Sequence, residues 1–116
     1  MTEEDRKSLN YHSKIKIYRK EMNFGPGTAQ LMLLVEQTGS LSAACKEMKM
    51  AYSKGWKIVK QAEEDLGFAL MKGRRGGERG GHTVLTEDGK EFLNRYLQFA
   101  DQAEAVLDQL FEQFFF

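Results

Sequence analysis

The sequence predicts a mainly α fold with one small two-stranded β element and a long C-terminal helix. Three observations carry this. Residues 28–66 hold three helix-compatible stretches, punctuated by helix stops at Gly39 and Gly67. Two short apolar segments, FALMK and HTVLT, flank a glycine-rich stretch. From Leu93 to Phe114 apolar residues recur at alternating spacings of three and four. At 116 residues the chain is expected to form one domain. Its parts are a flexible N-terminus over 1–12, a body over 13–85 and, within the same domain, a final helix over 86–116.

The elements follow in order. Residues 13–20, SKIKIYRK, place Ile15 and Ile17 on one side and Lys14, Lys16 and Tyr18 on the other. Such alternation predicts a short strand. NFGPG, residues 23–27, contains the only proline and reads as a turn. From Thr28 to Gln37, Leu31, Leu34 and Val35 fall on one helical face, with Thr28 as expected N-cap and Gly39 as stop. Ser40 then caps a short helix, LSAACKEMKM, whose small Ala43, Ala44 and Cys45 let a neighbouring helix approach.

A third helix is expected from Tyr52 or Ser53 to Leu66. Its inner face is Gly55, Val59, Ala62 and Leu66; its outer face holds Ser53, Lys54, Lys57, Lys60 and Gln61. FALMK and HTVLT read as hairpin strands joined by a loop longer than a tight turn. Thr86 opens the last helix, with Glu87 and Asp88 favouring the dipole of its first turn.

Within that helix Leu93, Tyr96, Ala100, Ala103, Leu107, Leu110 and Phe114 form a heptad seam, with Phe92, Phe99, Val106 and Phe111 beside it. A helix over 87–114 is about 40 Å long. So small a domain can hardly cover all of that surface, and the expected cover is the same helix of a second chain, making a homodimer; the plain alternative is an intramolecular core helix. The terminal Phe114-Phe115-Phe116 is expected to be covered in the same way. Three helices followed by a hairpin is the order of a winged helix-turn-helix.

Composition bounds the function. Hydrophobic residues make up 41% and charged residues 29%, as in ordinary globular domains. No apolar run approaches a membrane span and the N-terminus lacks a signal-peptide core, so a cytoplasmic protein is expected. Cys45 is the only cysteine, which excludes an intrachain disulfide and fits a reducing compartment. The formal net charge is +0, but it is segregated. Residues 46–82 carry nine Lys/Arg against five acids, a surplus of four; residues 86–116 carry two against seven. A polyanion responds to the local surplus within a Debye length of about 8–10 Å.

The run GSLSAACKEMKMAYSKGWKIVKQAEEDLGFALMKGRRGGERGGHTVLTEDGKEFL resembles the N-terminal DNA-binding domain of LysR-type regulators, and more closely that of molybdate-responsive, ModE-type regulators. The LysR-type features are Gly39-Ser40-Leu41-Ser42-Ala43-Ala44, Glu63-Glu64-Asp65-Leu66-Gly67, the apolar Phe68-Ala69-Leu70-Met71 and Leu85-Thr86-Glu87-Asp88-Gly89. The ModE-type features are Tyr52 and Trp56 within one helix and an extended glycine-rich wing. The resemblance covers about residues 25–110. It implies a bacterial, homodimeric transcription regulator that binds double-stranded DNA. ModE-type regulators carry further oxyanion-binding domains and LysR-type ones a large co-inducer domain. This chain ends at Phe116, so molybdate sensing is not carried over and a stand-alone winged-helix protein is expected.

On that resemblance the helix over 52–66 enters the major groove, with Ser53, Lys54 and Lys57 near bases and Lys60 nearer phosphate. The plain alternative is the solvated face of any amphipathic helix. Tyr52 and Trp56, one turn apart, could touch sugars and thymine methyls or wedge the helix against its neighbours. Trp56 is expected to pack, because indoles bury large area, and Tyr52 to contact DNA. Ser40 and Ser42 open a helix whose N-terminal amides suit a phosphate, unless they only cap it.

GRRGGERGG, residues 73–81, holds five of the 11 glycines and three arginines. Alone it is compatible with a phosphate-cradling loop, an RNA-binding tract, a linker or a hairpin tip. It lacks the lysine and hydroxyl residue of a P-loop, and strand-like residues follow where a dinucleotide-binding loop needs a helix. Between FALMK and HTVLT it reads as a wing tip, presenting Arg74, Arg75 and Arg79 to backbone or minor groove, mobile until DNA is bound.

Catalysis and cofactors are not expected. His12 and His82 are far apart, no metal-ligand spacing occurs, and Cys45 sits among small apolar residues as a buried hydrophobe. The rival functions are a dimeric protein-interaction module on the same scaffold and an oxyanion sensor using the wing as an anion nest.

Overall fold

The computed structural model describes residues 1–74 and 82–116. In chain order it has α1 (Glu3–Lys7), α2 (Pro26–Thr38), α3 (Leu41–Glu47), α4 (Tyr52–Leu66), β1 (Met71–Arg74), β2 (His82–Leu85) and α5 (Glu87–Phe115). β1 and β2 pair antiparallel, with Met71 opposite Leu85 and Arg74 opposite His82. This is a winged helix-turn-helix with a long last helix.

Local chemistry sets the helix ends. Gly39 (φ +71°) and Gly67 (φ +88°) close α2 and α4 in the left-handed region, their N–H groups donating to Val35 and Glu63 carbonyls. Glycine takes that conformation without a Cβ penalty. α3 ends on a non-glycine version: Lys49 has φ +56°, its N–H donates to Lys46 O, and Met50 N–H reaches back to Cys45 O. That pair of bonds is a Schellman closure, and it forms the turn between α3 and α4. Ser40 and Thr86 cap α3 and α5, accepting from Ala43 N–H and Gly89 N–H.

α2 runs through the core, with Leu31, Met32 and Val35 fully buried. α4 lays Gly55, Val59, Ala62 and Leu66 inward, the four residues its spacing predicts. A Cβ on Gly55 would stand 2.2 Å from Cys45 Sγ, so α3 and α4 touch across a glycine. Cys45 is buried there and desolvation pushes its thiol pKa up, as suits a small hydrophobe. A Cβ on Gly89 would meet Leu70 O at 2.1 Å, so α5 begins against the backbone leading into β1. Phe24 is sealed by edge-on contacts with Phe92 (4.7 Å) and Tyr96 (5.0 Å).

Three sequence expectations change. Residues 13–20 form no strand: a single bridge joins Ile17 and Phe24. Ile15 and Ile17 do pack on the core as their alternation requires. The ladder stops because the Asp65 carboxylate takes the N–H groups of Arg19, Lys20 and Glu21 at 2.7, 2.9 and 2.9 Å. Thr28 is not an N-cap. α2 starts earlier, with Pro26 in its first turn, where its fixed φ is pre-organised. Thr28 is buried and donates to Asn23 O. Finally, residues 1–12 include α1, closed by a capping box between Thr2 and Asp5. Beyond it, the Tyr11 ring packs at a tilt against Phe111 and its hydroxyl donates to the Asp108 carboxylate of α5.

Candidate nucleic-acid interface

α4 is positioned by contacts at both ends. Its buried row seats it on α2 and α3. At its C-terminal end the Glu63 carboxylate accepts the N–H groups of Leu70 (2.7 Å) and Met71 (3.3 Å), clamping the helix to the start of β1. β2 is tied to the turn between α2 and α3: Thr83 N–H donates to Gly39 O (2.8 Å), and Leu41 N–H donates to the Thr83 hydroxyl (3.3 Å). Thr86 closes the hairpin base by donating to Ala69 O.

The solvent side of α4 carries Ser53, Lys54, Lys57 and Lys60, all exposed. Ser53, Lys54 and Lys57 stand in the N-terminal half. Lys60 is engaged: its ammonium lies 3.1 Å from Glu63 and 5.6 Å from the centre of the Trp56 ring. Lys46, Lys49 and Lys72 are exposed as well. Glu63 and Asp65, two of the acids that offset these bases in the sequence, are committed to backbone N–H groups. Those bonds hold the Asp65 carboxyl below its ordinary range, the Arg19 N–H contributing most.

Trp56 requires a correction. Expected to pack, it is 49% exposed, and Tyr52 is 53% exposed. The inner arc of α4 is filled by small and aliphatic residues, leaving the indole on the flank facing the wing. It lines a crevice of about 180 Å³ with Tyr52, Lys60, Met71, Lys72 and Thr83. Spacing places the pair together and leaves Tyr52 outward; only the tertiary packing shows that Trp56 faces solvent as well.

The N-terminus of α3 is less available than expected. Leu41 N–H is taken by Thr83 and Ala43 N–H by the capping Ser40. Ser42 is exposed. Arg74 is the last residue of β1, whereas Arg75 and Arg79, with the expected mobility of the wing tip, lie outside the described residues.

The seam on α5 is also redistributed. Leu93 and Tyr96 are 1% and 3% exposed, buried in the chain's own core, and Tyr96 donates to Ile15 O at 2.8 Å. They are not free for a partner. Ala100 packs partly on that core. Ala103 and Leu107 are half-buried, and Leu110 and Phe114 are exposed. Phe99 (57% exposed) and Val106 (54%) flank them and line a shallow cleft with Ala103. A heptad repeat marks a buried face without saying whose core buries it; here the first half faces the chain's own.

A cavity of about 640 Å³ lies between residues 10–15, α2 and α5. Its acidic lining, Glu104 and Asp108, is the wrong sign for an oxyanion. Among the described residues no group of three His, Cys, Asp or Glu could hold a metal ion, and no helix is long and apolar enough to cross a membrane.

The fold agrees with the comparisons. The family model for the bacterial regulatory helix-turn-helix protein, lysR family, matches residues 28–90. The molybdenum-pterin-binding protein MopB of Rhodobacter capsulatus is 28% identical over 82 residues, covering 71% of this chain and 30% of its own length. The transcriptional regulator ModE of Haemophilus influenzae is 28% identical over 86 residues, covering 74% and 32%. The chain therefore spans about a third of the length of these relatives. A crystal structure of the CbnR DBD in complex with DNA superposes with a TM-score of 0.56 at 23% identity, covering 72% of this chain and 90% of that one. At that identity the likeness shows the fold. The family match takes in α2 to the start of α5, more than half of the sequence: the chain belongs to the lysR family of bacterial regulatory helix-turn-helix proteins.

Proposed function

We propose that the chain is a sequence-specific, duplex-DNA-binding regulator of transcription, acting as a homodimer in the cytoplasm without a cofactor. α4 enters the major groove and the wing follows the backbone or the adjacent minor groove. The observation that carries this is α4 itself. It buries a narrow row of small and aliphatic residues and turns Ser53, Lys54 and Lys57 outward at its N-terminal half. A helix of about 10–12 Å diameter fits a major groove about 12 Å wide, and recognition helices read bases with their N-terminal residues. Arg74, Arg75 and Arg79 give the wing cations suited to the negative minor groove.

The dimer rests on α5. Ala103, Leu107, Leu110 and Phe114 remain for a partner, joined by Phe99 and Val106, and Leu93 and Tyr96 drop out. Two copies would present two α4 helices to the half-sites of a two-fold operator.

The test is a gel-shift titration on duplexes selected from a random pool, at about 50 mM and about 200 mM salt. Affinity should fall steeply between the two, by about 10³-fold or more if some six phosphates are contacted. Lys57→Ala should weaken binding without changing the oligomer. A dimer that binds no duplex even at the lower salt would replace this reading with that of a protein-interaction module.

A further inference from the structure

We propose that Tyr52 and Trp56 form an apolar contact for thymine methyl groups on the wing-side wall of the major groove; the inference rests on the DNA-binding reading above. Both rings are about half exposed on a helix whose inner face needs neither of them. At about 100° per residue they fall on the same flank as Glu63, beside rather than opposite the buried row. Glu63 bonds the start of β1, which fixes that flank as the one facing the wing.

The surroundings select the partner. Among the described residues neither ring stacks on another aromatic side chain of its own chain. The cations around them are Lys60 and Lys72, with Lys54 and Lys57 elsewhere on the same helix, all exposed. The carboxylate on this flank, Glu63, is already engaged by two backbone N–H groups and by Lys60. An apolar protein partner would have to desolvate Lys72 and the Lys60–Glu63 pair. A duplex matches both properties: phosphates for the lysines and, between them, the C5 methyl of thymine, the apolar group that the major groove displays. The adjoining crevice between α4 and β1, about 180 Å³ with Met71 in its lining, can receive such a group beside the indole. The Lys60 ammonium stands 5.6 Å from the centre of the Trp56 ring.

The experiment uses the whole chain and a duplex selected from a random pool. Each thymine of that duplex is replaced singly by deoxyuridine, which removes only the methyl group. At one or two positions per half-site, affinity should fall about four-fold, the worth of one buried methylene-sized group. In Trp56→Ala, checked for unchanged circular dichroism, the wild-type penalty at the position facing the indole should vanish. Tyr52→Ala should abolish it at a different position. Trp56 is the only tryptophan, so its fluorescence should also change on binding the selected duplex. Duplex binding with the deoxyuridine penalties intact in both variants overturns this inference alone. Failure to bind any duplex overturns the DNA-binding reading and this inference with it.

Discussion

Single atoms decide two positions in this fold. At Gly89 an added Cβ meets the Leu70 carbonyl at 2.1 Å, and backbone on both sides leaves nothing that can swing away. At Gly55 the added Cβ meets Cys45 Sγ at 2.2 Å, a side-chain atom that a smaller residue would remove. Gly89→Ala is therefore expected to destabilise by about 3 kcal/mol or more, and Gly55→Ala by about 1–3 kcal/mol. Cys45→Ala should recover part of the Gly55 loss and none of the Gly89 loss, measured by urea midpoints. Asp65 acts through charge. Its folded pKa is depressed, so its contribution is present above the ordinary carboxylate range and is lost as pH falls through the folded value. Acid titration of stability should show a decline below about pH 4 that flattens in Asp65→Asn. An unchanged acid limb in that variant would remove Asp65 from the account.

Among the elements, what the sequence made legible was what neighbours along the chain determine. Gly39 and Gly67 as stops, Ser40 and Thr86 as caps, and the buried row of α4 are set within one or two turns. The elements misread depend on distant partners. SKIKIYRK alternates like a strand, yet a strand needs a ladder, and Asp65, more than 40 residues later, takes the N–H groups that would extend it. Trp56 has the composition of a packing residue, and only the closure of α4 on α2 by smaller side chains leaves it outside. The acids of Glu63-Glu64-Asp65, which carry the family resemblance, contain two backbone clamps; spacing alone gives no sign of what they hold. The candidate site was legible as a lysine-faced helix beside a glycine-rich hairpin with Tyr52 turned outward, and the exposure of Trp56 was not.

For the whole molecule, the deciding question is what covers the second half of α5. Phe99, Val106, Leu110 and Phe114 are exposed in one chain, and the proposed dimer would cover them. Val106→Asp and Leu110→Asp are expected to shift the chain to monomer in analytical ultracentrifugation. Both should lower affinity for a two-half-site duplex by about 100-fold or more, the loss expected when bivalent binding is removed. Affinity for a single half-site should be unchanged. A variant that stays dimeric would move the interface elsewhere on the chain.

The bonds at Glu63 and Thr83 have one more consequence. Glu63 fixes the end of α4 to the start of β1, and Thr83 fixes β2 to the turn ahead of α3. Helix and hairpin base are thus the two jaws of a caliper with a set opening. On the proposed DNA-binding reading, a duplex whose groove width already matches that opening would be gripped without deformation, and one that does not would have to bend to fit. Base pairs that no side chain touches would then still be selected, by their stiffness.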